Sequence, residues 1–316
     1  MNKVTVIGAG NVGATVAECV ARKDMVSEVV LIDIKQGLSE GKALDLLEAA
    51  PVHLFDTHVK GVTNDYTATA NSDICVITSG IPRRPGMSRD DLLGTNASIV
   101  RSVTEAFVAR SPNAIIVVVS NPLDVMTYVA YTASGLPGYR VLGMAGVLDT
   151  ARFRAFIAEA LNVSVRDIQT LLMGGHGDTM VPLPRYTTIG GIPLTHLMDS
   201  DQINQIVERV KTGGGEIVQL MGTSAWYAPG AAAAEMVEAM VKDSGRVLPC
   251  AAWLTGQYGL EDLFIGVPVR LGRTGIQEII EVELNADEQR LLDTSAEHVR
   301  ANLAALERVL KASNDS

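Results

Sequence analysis

The sequence has few cysteines, and the three present are too scattered to build a covalent or metal-held scaffold. Cys19, Cys75 and Cys250 are widely spaced, and none belongs to a Cys-x-x-Cys pair. Disulfide frameworks and structural zinc sites use paired or closely spaced cysteines. We therefore expect no disulfide, no bound metal and a reducing, cytoplasmic location.

Long apolar runs are lacking as well. The longest candidate, residues 114–119, has the length of a strand, whereas a membrane-spanning helix needs about 20 apolar residues. The N-terminus enters a strand pattern directly, without the basic region, apolar core and cleavage site of a secretory signal. We expect neither export nor a membrane partner.

The chain also lacks a clustered tract of lysine and arginine, and its formal net charge is −10. Nucleic acids and anionic membranes attract basic surfaces, so neither is expected as a partner. Hydrophobic residues make up 47% and charged residues 20% of the 316 residues. This balance is typical of a globular protein with one large domain or two ordinary ones.

The first half alternates short β-branched runs with helical patterns, which predicts an α/β fold. Such alternation is typical of a Rossmann-type, doubly wound parallel sheet that binds ligands at the carboxyl ends of its strands. The runs interpreted as buried parallel strands are residues 4–8, 29–33, 74–78, 114–120 and 141–144.

The second half has a different pattern, which predicts a C-terminal α+β substrate domain over residues 146–316, after a nucleotide-binding domain over residues 1–145. Its Ala-rich stretch, 225–240, is interpreted as a core helix, with an oligomer interface as the alternative. Glycines 213–215 predict a break between two helices. Helices are predicted at 150–162, 201–211, 216–241 and 286–311, and strands at 247–253 and 264–271.

A glycine-rich motif follows the first strand and opens a helix. Gly8 permits a tight turn, Gly10 lets the backbone approach a pyrophosphate, and Gly13 allows close packing of helix on strand. The full motif is Gly8-Ala9-Gly10-Asn11-Val12-Gly13. Asp33 ends the next apolar run, where a carboxylate binds the adenosine ribose and repels a 2′-phosphate. NAD is therefore predicted rather than NADP.

The same glycines could merely serve a turn, and flavin enzymes and nucleotide-dependent regulators also use this fingerprint. Three further segments narrow the choice: residues 81–89 (IPRRPGMSR), 148–152 (LDTAR) and 173–178 (MGGHGD). With them, the chain resembles the lactate/malate dehydrogenase family over nearly its whole length. The resemblance implies reversible, NAD-dependent oxidation of (S)-malate to oxaloacetate, as in the tricarboxylic acid cycle, by a homo-oligomer, tetramer or dimer.

His176 is the expected acid/base. Its flanking glycines bring the backbone close to a ligand, and histidine titrates near neutral pH, although an isolated histidine is more often structural. The resemblance implies that His176 accepts the hydroxyl proton and that Asp149 orients it; helix capping is the alternative for Asp149. Arg152 shares a helix face with Asp149. By resemblance it binds the carboxylate beside the reacting carbon, and a surface ion pair is the alternative.

Residues 79–91 are rich in Gly, Pro and Arg and resemble the family's closing lid. The resemblance implies that Arg89 polarises the C2 oxygen and stabilises developing negative charge. Arg83 occupies the position that reads the far end of the substrate. Arginine there suits the second carboxylate of malate or oxaloacetate, whereas family members acting on lactate carry glutamine. Arg84 is the competing candidate.

The resemblance also implies contacts around the nicotinamide. Asn121 would hydrogen-bond the substrate beside the cofactor, Val119 and Ser120 would flank the cofactor, and Asn96 would contact it. For Asn96 the alternative is a helix cap. The Asn121-Pro122 bond is a candidate cis peptide, and residues 223–225 resemble a substrate-pocket segment, outside the catalytic set.

Two other functions stay open at this point. Lactate dehydrogenase is the near alternative. Arg83 is the residue that distinguishes the two functions, because the resemblance assigns it the selection of a dicarboxylate. A non-catalytic dinucleotide-sensing module is the alternative of another class. Oxaloacetate and pyruvate reduction distinguish the first pair, and turnover excludes the sensor.

Overall fold

Six parallel strands form the centre of the fold, in the order β3-β2-β1-β4-β5-β6. The computed structural model describes residues 1–82 and 88–314, apart from the side chains of residues 89, 313 and 314. The strands are β1 (Lys3–Ile7), β2 (Glu28–Asp33), β3 (His58–Thr63), β4 (Ile74–Ile77), β5 (Ile115–Val118) and β6 (Val141–Gly143). The predicted doubly wound parallel sheet is confirmed.

Helices cover both faces of this sheet because its strands are apolar on both sides. Alternate residues of β2 belong to different cores: Val29 and Leu31 lie in one, and Val30 and Ile32 lie in a second on the other face of the sheet. The helices that follow the strands are α1 (Asn11–Arg22), α2 (Leu38–His53), α3 (Arg89–Val108) and α4 (Leu123–Ser134). The strand order reverses beside β1, where a doubly wound fold opens a crevice for a ligand.

One strand of this sheet is absent from the sequence prediction. β3 lies at the edge of the sheet, and its residues alternate between buried and exposed. An edge strand therefore lacks the continuous apolar run that marks the five central strands.

The second half extends the same sheet. β12 (Val247–Thr255) runs antiparallel to β6 through the pair Ala251 and Gly143, and β13 (Glu261–Gly272) and β14 (Gly275–Ile279) continue outward. The remaining helices are α5 (Gly146–Leu161), α6 (Ser200–Met221), α7 (Tyr227–Val241) and α8 (Ala286–Asn314). Short strands form two small sheets: β7 (Ile168–Gln169), β8 (Leu172–Met173), β9 (Val181–Pro182), β10 (Thr188–Ile189) and β11 (Ile192–Pro193).

The predicted break at glycines 213–215 is wrong. α6 runs through them and ends at Gly222, whose φ of +71° caps the helix. The break between α6 and α7 therefore lies after residue 221. α7 is buried along most of its length, so the Ala-rich stretch is a core helix as predicted. No helix of the described residues is both long and apolar enough to span a membrane.

Candidate active site

The glycine-rich loop between β1 and α1 depends on the absence of side chains. Gly8 has a φ of +106°, and a Cβ on Gly13 would lie 1.8 Å from the Gly8 carbonyl oxygen. Gly10 is the N-cap of α1 and has open space where a side chain would lie. No described side chain caps this helix. Its first N–H groups are therefore available to an anion such as a pyrophosphate.

Asp33 fixes this loop from the end of β2. Its Oδ2 accepts a hydrogen bond from the Ala9 N–H at 2.6 Å, and its Oδ1 accepts one from the Lys35 N–H at 2.9 Å. A cavity of about 250 Å³ opens here, lined by Gly8, Gly10 and Asp33 among others. The polar carboxylate beside an apolar cleft fits an adenosine.

A second cavity of about 400 Å³ lies at the ends of β4 and β5 and shares several lining residues with the first, between 78 and 81. It is lined by the residues expected around the nicotinamide, Asn96, Val119, Ser120 and Asn121, and by Val12 of the glycine-rich motif. Ser224, from the predicted pocket segment, also lines it. The fold thus brings together residues that are far apart in sequence.

Asn96 ties the walls of this second cavity together. Its Oδ1 accepts from the Ile81 N–H at 2.9 Å, and its Nδ2 donates to the Asn121 carbonyl at 2.9 Å. The capping alternative for Asn96 is wrong, because Ser88 caps α3 in a capping box with Asp91. The Asn121-Pro122 peptide is cis.

Ser120 joins the same wall. Its hydroxyl donates to the Ser79 carbonyl at 2.5 Å, so the hydroxyl itself is occupied by the protein. The side chain nevertheless lines the cavity beside Val119 and Asn121.

His176 and Arg152 line a third cavity of about 650 Å³, and Asp149 contacts both of these side chains. The Nδ1 atom of His176 lies 2.9 Å from Asp149 Oδ2, and Arg152 Nη1 donates to Asp149 Oδ1 at 3.2 Å. Asp149 is almost completely buried, whereas 22% of the His176 side chain is exposed. The Asp149 carboxylate therefore orients both His176 and Arg152. It does not cap α5, whose N-cap is Ala145. With Nδ1 held, Nε2 is the atom free to exchange a proton with a ligand.

The environment of His176 favours its protonated form. Burial works against the charged imidazole, but the negative charge and hydrogen bond of Asp149, with a contribution from Asp124, outweigh it. The positive charge of Arg152 opposes them less strongly. The pKa of His176 is consequently raised above its ordinary value of 6.5.

The residues before His176 form a turn that three other elements hold. The Gly174 N–H donates to the Gly266 carbonyl of β13 at 2.8 Å, and the Gly175 N–H donates to Ser295 Oγ of α8 at 2.8 Å. The His176 N–H itself donates to Asp124 Oδ2 of α4 at 3.0 Å. The imidazole is thus placed by long-range contacts.

Arg152 approaches α6 closely at Gly213. A Cβ on Gly213 would lie 2.5 Å from Arg152 Cδ. The guanidinium also donates to the Val210 carbonyl at 3.4 Å. Only 12% of the Arg152 side chain is exposed, so the surface ion pair considered as its alternative does not describe it. Glycine at 213 therefore makes room for a buried cation beside the cavity.

Comparisons with known proteins agree with this architecture. The family model described as lactate/malate dehydrogenase, NAD binding domain, matches residues 2–143, and its partner, the alpha/beta C-terminal domain, matches residues 146–309. The chain belongs to the lactate/malate dehydrogenase family. Its first half is that family's NAD-binding domain, and NAD is its cofactor.

Individual relatives cover nearly the whole chain. The malate dehydrogenase of Salinibacter ruber is 68% identical over 97% of this chain and 98% of its own length, and that of Thermomicrobium roseum is 58% identical over 97% and 99%. The solved structure of the Salinibacter ruber enzyme superposes with a TM-score of 0.95, at 66% identity, over 98% of this chain and 99% of that one.

A lactate dehydrogenase has nearly the same fold. The Cryptosporidium parvum enzyme, solved with lactic acid and the nicotinamide cofactor, gives a TM-score of 0.92 at 38% identity, over 97% of this chain and 98% of that one. Overall shape therefore does not distinguish a malate enzyme from a lactate enzyme. The distinction depends on individual residues of the substrate cavity.

The arginines expected to make that distinction belong to the segment around residues 83–89, which the structure describes only in part. Arg83 and its competitor Arg84 fall outside the described residues. Arg89 is the first residue of α3, but its side chain is not described. The roles of Arg83 and Arg89 therefore stay predictions from the sequence.

Besides Ser295, two residues of the site were not predicted from the sequence. Asp124 is a carboxylate in an otherwise apolar helix three residues after Asn121, a signal that could have identified it. Lys42 extends from α2, and its Nζ donates to the Gly10 carbonyl at 3.3 Å. No motif in the sequence marks Lys42, because its proximity to Gly10 arises from packing of α2.

Proposed function

We propose that this protein is a malate dehydrogenase that interconverts (S)-malate and oxaloacetate with NAD, and that it serves the tricarboxylic acid cycle. The observation that carries the proposal is the shared carboxylate of Asp149, which orients an acid/base, His176, and a carboxylate-binding cation, Arg152, at one cavity. A 2-hydroxy acid needs both groups, one for its hydroxyl proton and one for the adjacent carboxylate.

In malate oxidation, His176 accepts the hydroxyl proton at Nε2, and in oxaloacetate reduction it returns that proton. Asp149 stabilises the imidazolium that forms, since its buried carboxylate faces Nδ1. Arg152 binds the carboxylate next to C2 through its planar guanidinium. NAD, when bound, exchanges the hydride with C2.

The remaining roles follow the family resemblance. Asn121 hydrogen-bonds the substrate, Arg89 polarises the C2 oxygen, and Arg83 binds the second carboxylate. The glycine loop holds the pyrophosphate, Asp33 the adenosine ribose, and the cavity around Asn96 and Asn121 the nicotinamide. We assign the cofactor contacts to Gly8, Ala9, Gly10, Asn11, Val12, Gly13, Asp33, Asn96, Val119, Ser120 and Asn121.

Malate is favoured over lactate by Arg83 in the sequence and by relatives. The relatives that are 58% and 68% identical are named malate dehydrogenases, whereas the lactate dehydrogenase structure is 38% identical. By resemblance, Arg83 adds a second cation for the substrate, which matches a dicarboxylate in charge. Lactate and pyruvate have no second carboxylate to satisfy it.

The test compares NADH oxidation with oxaloacetate and with pyruvate, for the parent protein and two single variants. Oxaloacetate should be strongly preferred. Arg83→Gln should lower kcat/KM for oxaloacetate. The loss should correspond to about 2–4 kcal/mol of transition-state stabilisation, because the variant leaves a substrate carboxylate unpaired. Arg84→Gln is the matched control, with the same change one residue away.

Three results would contradict the proposal. Preference of the parent for pyruvate indicates a lactate dehydrogenase. Full activity of Arg83→Gln removes Arg83 as the selecting residue. NADH binding without turnover of either keto acid indicates a sensor.

The raised pKa of His176 gives the two directions opposite pH dependence. Reduction needs the protonated imidazole, so kcat/KM for oxaloacetate should fall as pH rises through a pKa above 6.5. Oxidation needs the neutral imidazole and should rise over the same range. The ion pair with Asp149 also stabilises the fold below pH 6.5, and that contribution should be lost as pH rises through the folded-state pKa.

We also propose that the protein is a homo-oligomer, tetramer or dimer. Apolar side chains stand exposed on and after α2: Leu44, Leu47, Val52 and Leu54 are 55% to 87% exposed. Exposed apolar side chains grouped in one segment of the chain are typical of an interface. Light scattering after size exclusion should give a dimeric or tetrameric mass, and Leu47→Asp should reduce it.

We further propose that the chain has two domains and that the protein is cytoplasmic. We divide the chain into a cofactor domain, 1–145, and a substrate domain, 146–316, since α5 begins at Gly146. A cytoplasmic location is supported by the three cysteines, all of which are free. Limited proteolysis and fractionation of the producing cells test the two statements.

A further inference from the structure

We propose that Asp124 is a positioning residue for His176: its carboxylate holds the backbone N–H of His176 and places a second negative charge, besides that of Asp149, close to the imidazole. The inference rests on the proposed function, because it assigns His176 the acid/base role. It links the cofactor-binding half of the chain to proton transfer in the other half.

Asp124 is well placed to hold the histidine. It lies in the first turn of α4, is 7% exposed, and accepts the His176 N–H at 3.0 Å through Oδ2. The two residues are 52 positions apart, so this is a tertiary contact. Fixing the backbone nitrogen fixes the direction in which the imidazole leaves the chain.

The turn before His176 is shaped to receive this carboxylate. Gly174 has a φ of +86°, which favours glycine, and a Cβ on Gly175 would lie 3.2 Å from Asp124 Oδ2. The same Cβ would lie 3.4 Å from Ser295 Oγ. Two consecutive glycines therefore let Asp124 and Ser295 approach the backbone from opposite elements.

A purely structural acceptor would not need a charge at this position. Asp124 Oδ1 is buried and has no hydrogen-bond partner among the residues that the structure describes. A buried carboxylate in that condition is costly unless a nearby cation compensates it. Burial raises the pKa of Asp124 to about 6, while His176 acts to lower it and Asp149 to raise it.

Charges from two other elements complete this environment. Asp149 and Arg152 of α5 act on His176 with opposite signs, and Asp124 adds its negative charge from α4. Above pH 6 the carboxylate form of Asp124 predominates, so that two carboxylates then favour one imidazolium. When malate loses its hydroxyl proton, His176 receives it beside carboxylates that favour the protonated imidazole.

The contact also joins two parts of the reaction. Asn121, expected beside the nicotinamide and substrate, precedes Asp124 by three residues, and the segment between them begins α4. A displacement of this segment would move the cofactor cavity and His176 together. Hydride and proton transfer need both groups in register to within a fraction of an ångström.

The test measures the pKa of His176 directly and separately from turnover. In protein labelled with [13Cε1]-histidine, the His176 signal is assigned by its absence from a His176→Asn variant. Asp124→Asn keeps an oxygen acceptor for the His176 N–H but removes the charge. Asp124→Ala removes both, and Asp73→Asn is the control, because Asp73 is another carboxylate that accepts backbone N–H groups and lies just before β4, at the amino end of that strand.

In Asp124→Asn, the pKa of His176 should fall by about half a unit or more, and the pH profile of kcat/KM for oxaloacetate should move with it. Asp124→Ala should also lower kcat by on the order of tenfold or more. In both variants the Kd for NADH should stay within about twofold of the parent value, because Asp124 is not assigned to the cofactor and Asn121 keeps its hydrogen bond from Asn96. A twofold change corresponds to about 0.4 kcal/mol. Asp73→Asn should match the parent.

An unchanged pKa and pH profile in Asp124→Asn would overturn the inference. Should that variant not fold, the parent decides: the His176 signal should show a second inflection near pH 6, from ionisation of Asp124. A single inflection would then refute the coupling. If the parent turns over neither keto acid, the proposed function fails, but the titration still tests Asp124.

Discussion

The two halves of the molecule hold their functional groups in different ways. In the cofactor half, the glycines of the loop lie within six consecutive residues, and Asp33 accepts a hydrogen bond from the loop at Ala9, 24 positions away. In the substrate half, His176 depends on Asp149 and Asp124, which are 27 and 52 positions away, and its neighbour Gly175 depends on Ser295, 120 positions away. The glycine loop is therefore shaped mainly by local backbone conformation, whereas the site around His176 is assembled by tertiary packing.

This difference predicts different responses to mutation. A small steric change should damage the cofactor site, whereas a change of charge without change of shape should damage the proton-transfer site. The following variants test each half with the change to which it should be most sensitive.

The largest effect is expected from Asp149→Asn. The side chain keeps its shape but loses the charge shared by His176 and Arg152, and its amide favours the wrong tautomer of the imidazole. We expect kcat to fall roughly 10²- to 10⁴-fold and the pKa of His176 to decrease. Steady-state kinetics over a pH series measure both quantities.

Glu159→Gln is the matched control for Asp149→Asn. It lies on the same helix, and its side chain is 72% exposed and paired with Arg209. Its kinetics should equal those of the parent. Comparable losses in the two variants would mean that any charge on α5 matters, and the special role of Asp149 would be withdrawn.

Gly13→Ala should produce the next largest effect, through shape alone. Its Cβ would lie 1.8 Å from the Gly8 carbonyl, which is backbone and cannot rotate away. We expect NADH affinity to fall on the order of 100-fold and the free energy of unfolding to fall by about 1–3 kcal/mol. Fluorescence titration and chemical denaturation measure them.

Gly41→Ala controls for the loss of a glycine. Gly41 lies in α2, and an added Cβ there would meet nothing within 4 Å. It should leave NADH binding unchanged and stabilise the protein by roughly 0.5–1 kcal/mol. Intact NADH binding in Gly13→Ala would show that the loop tolerates displacement, contrary to the geometry.

The same difference explains what could be predicted from the sequence. The parallel sheet and the glycine loop were predictable because apolar runs and adjacent glycines are local signals. The contact between His176 and Asp149 was expected only through the family resemblance. Asp124 carries a local signal, as the charged residue in the first turn of α4, but nothing in the sequence reveals its contact with His176. Ser295 was not predicted, because no spacing along the chain reveals that two helices meet at one turn.

Glycines 213–215 show the limit most clearly. In sequence, three glycines indicate a break, but they lie inside α6, where Gly213 makes room for Arg152 from α5. The requirement belongs to the partner helix and has no trace in the local pattern. β3 was missed for a related reason, since its exposure is set by its position at the edge of the sheet.

A smaller effect is expected from Gly213→Ala. The added Cβ would lie 2.5 Å from Arg152 Cδ, and the arginine must move because its side chain is the flexible partner. We expect KM for oxaloacetate to rise about tenfold, as for a displaced substrate-binding group, with NADH affinity unchanged. Gly214→Ala, where no atom lies within 4 Å, should raise KM less. Equal effects would show that Arg152 is not the cause.

The smallest effect should come from Lys42→Gln, which tests whether the cofactor half also uses a contact between distant elements. Lys42 Nζ donates to the Gly10 carbonyl, so its charge lies beside the expected pyrophosphate. Burial lowers the pKa of Lys42, and the charge of Asp33 opposes this. An exposed ion pair contributes about 0.2–1 kcal/mol, so the Kd for NADH should rise roughly 1.4- to 5-fold.

Salt distinguishes this charge effect from a change of shape. The difference between Lys42→Gln and the parent should shrink at about 1 M salt, where the Debye length is about 3 Å. Lys60→Gln on β3 is the control and should bind NADH as the parent does. A difference that persists at high salt would assign Lys42 a packing role in α2. The glycine loop would then depend on its backbone conformation and on Asp33, without a charged contact from α2, and its contrast with the site around His176 would be sharper.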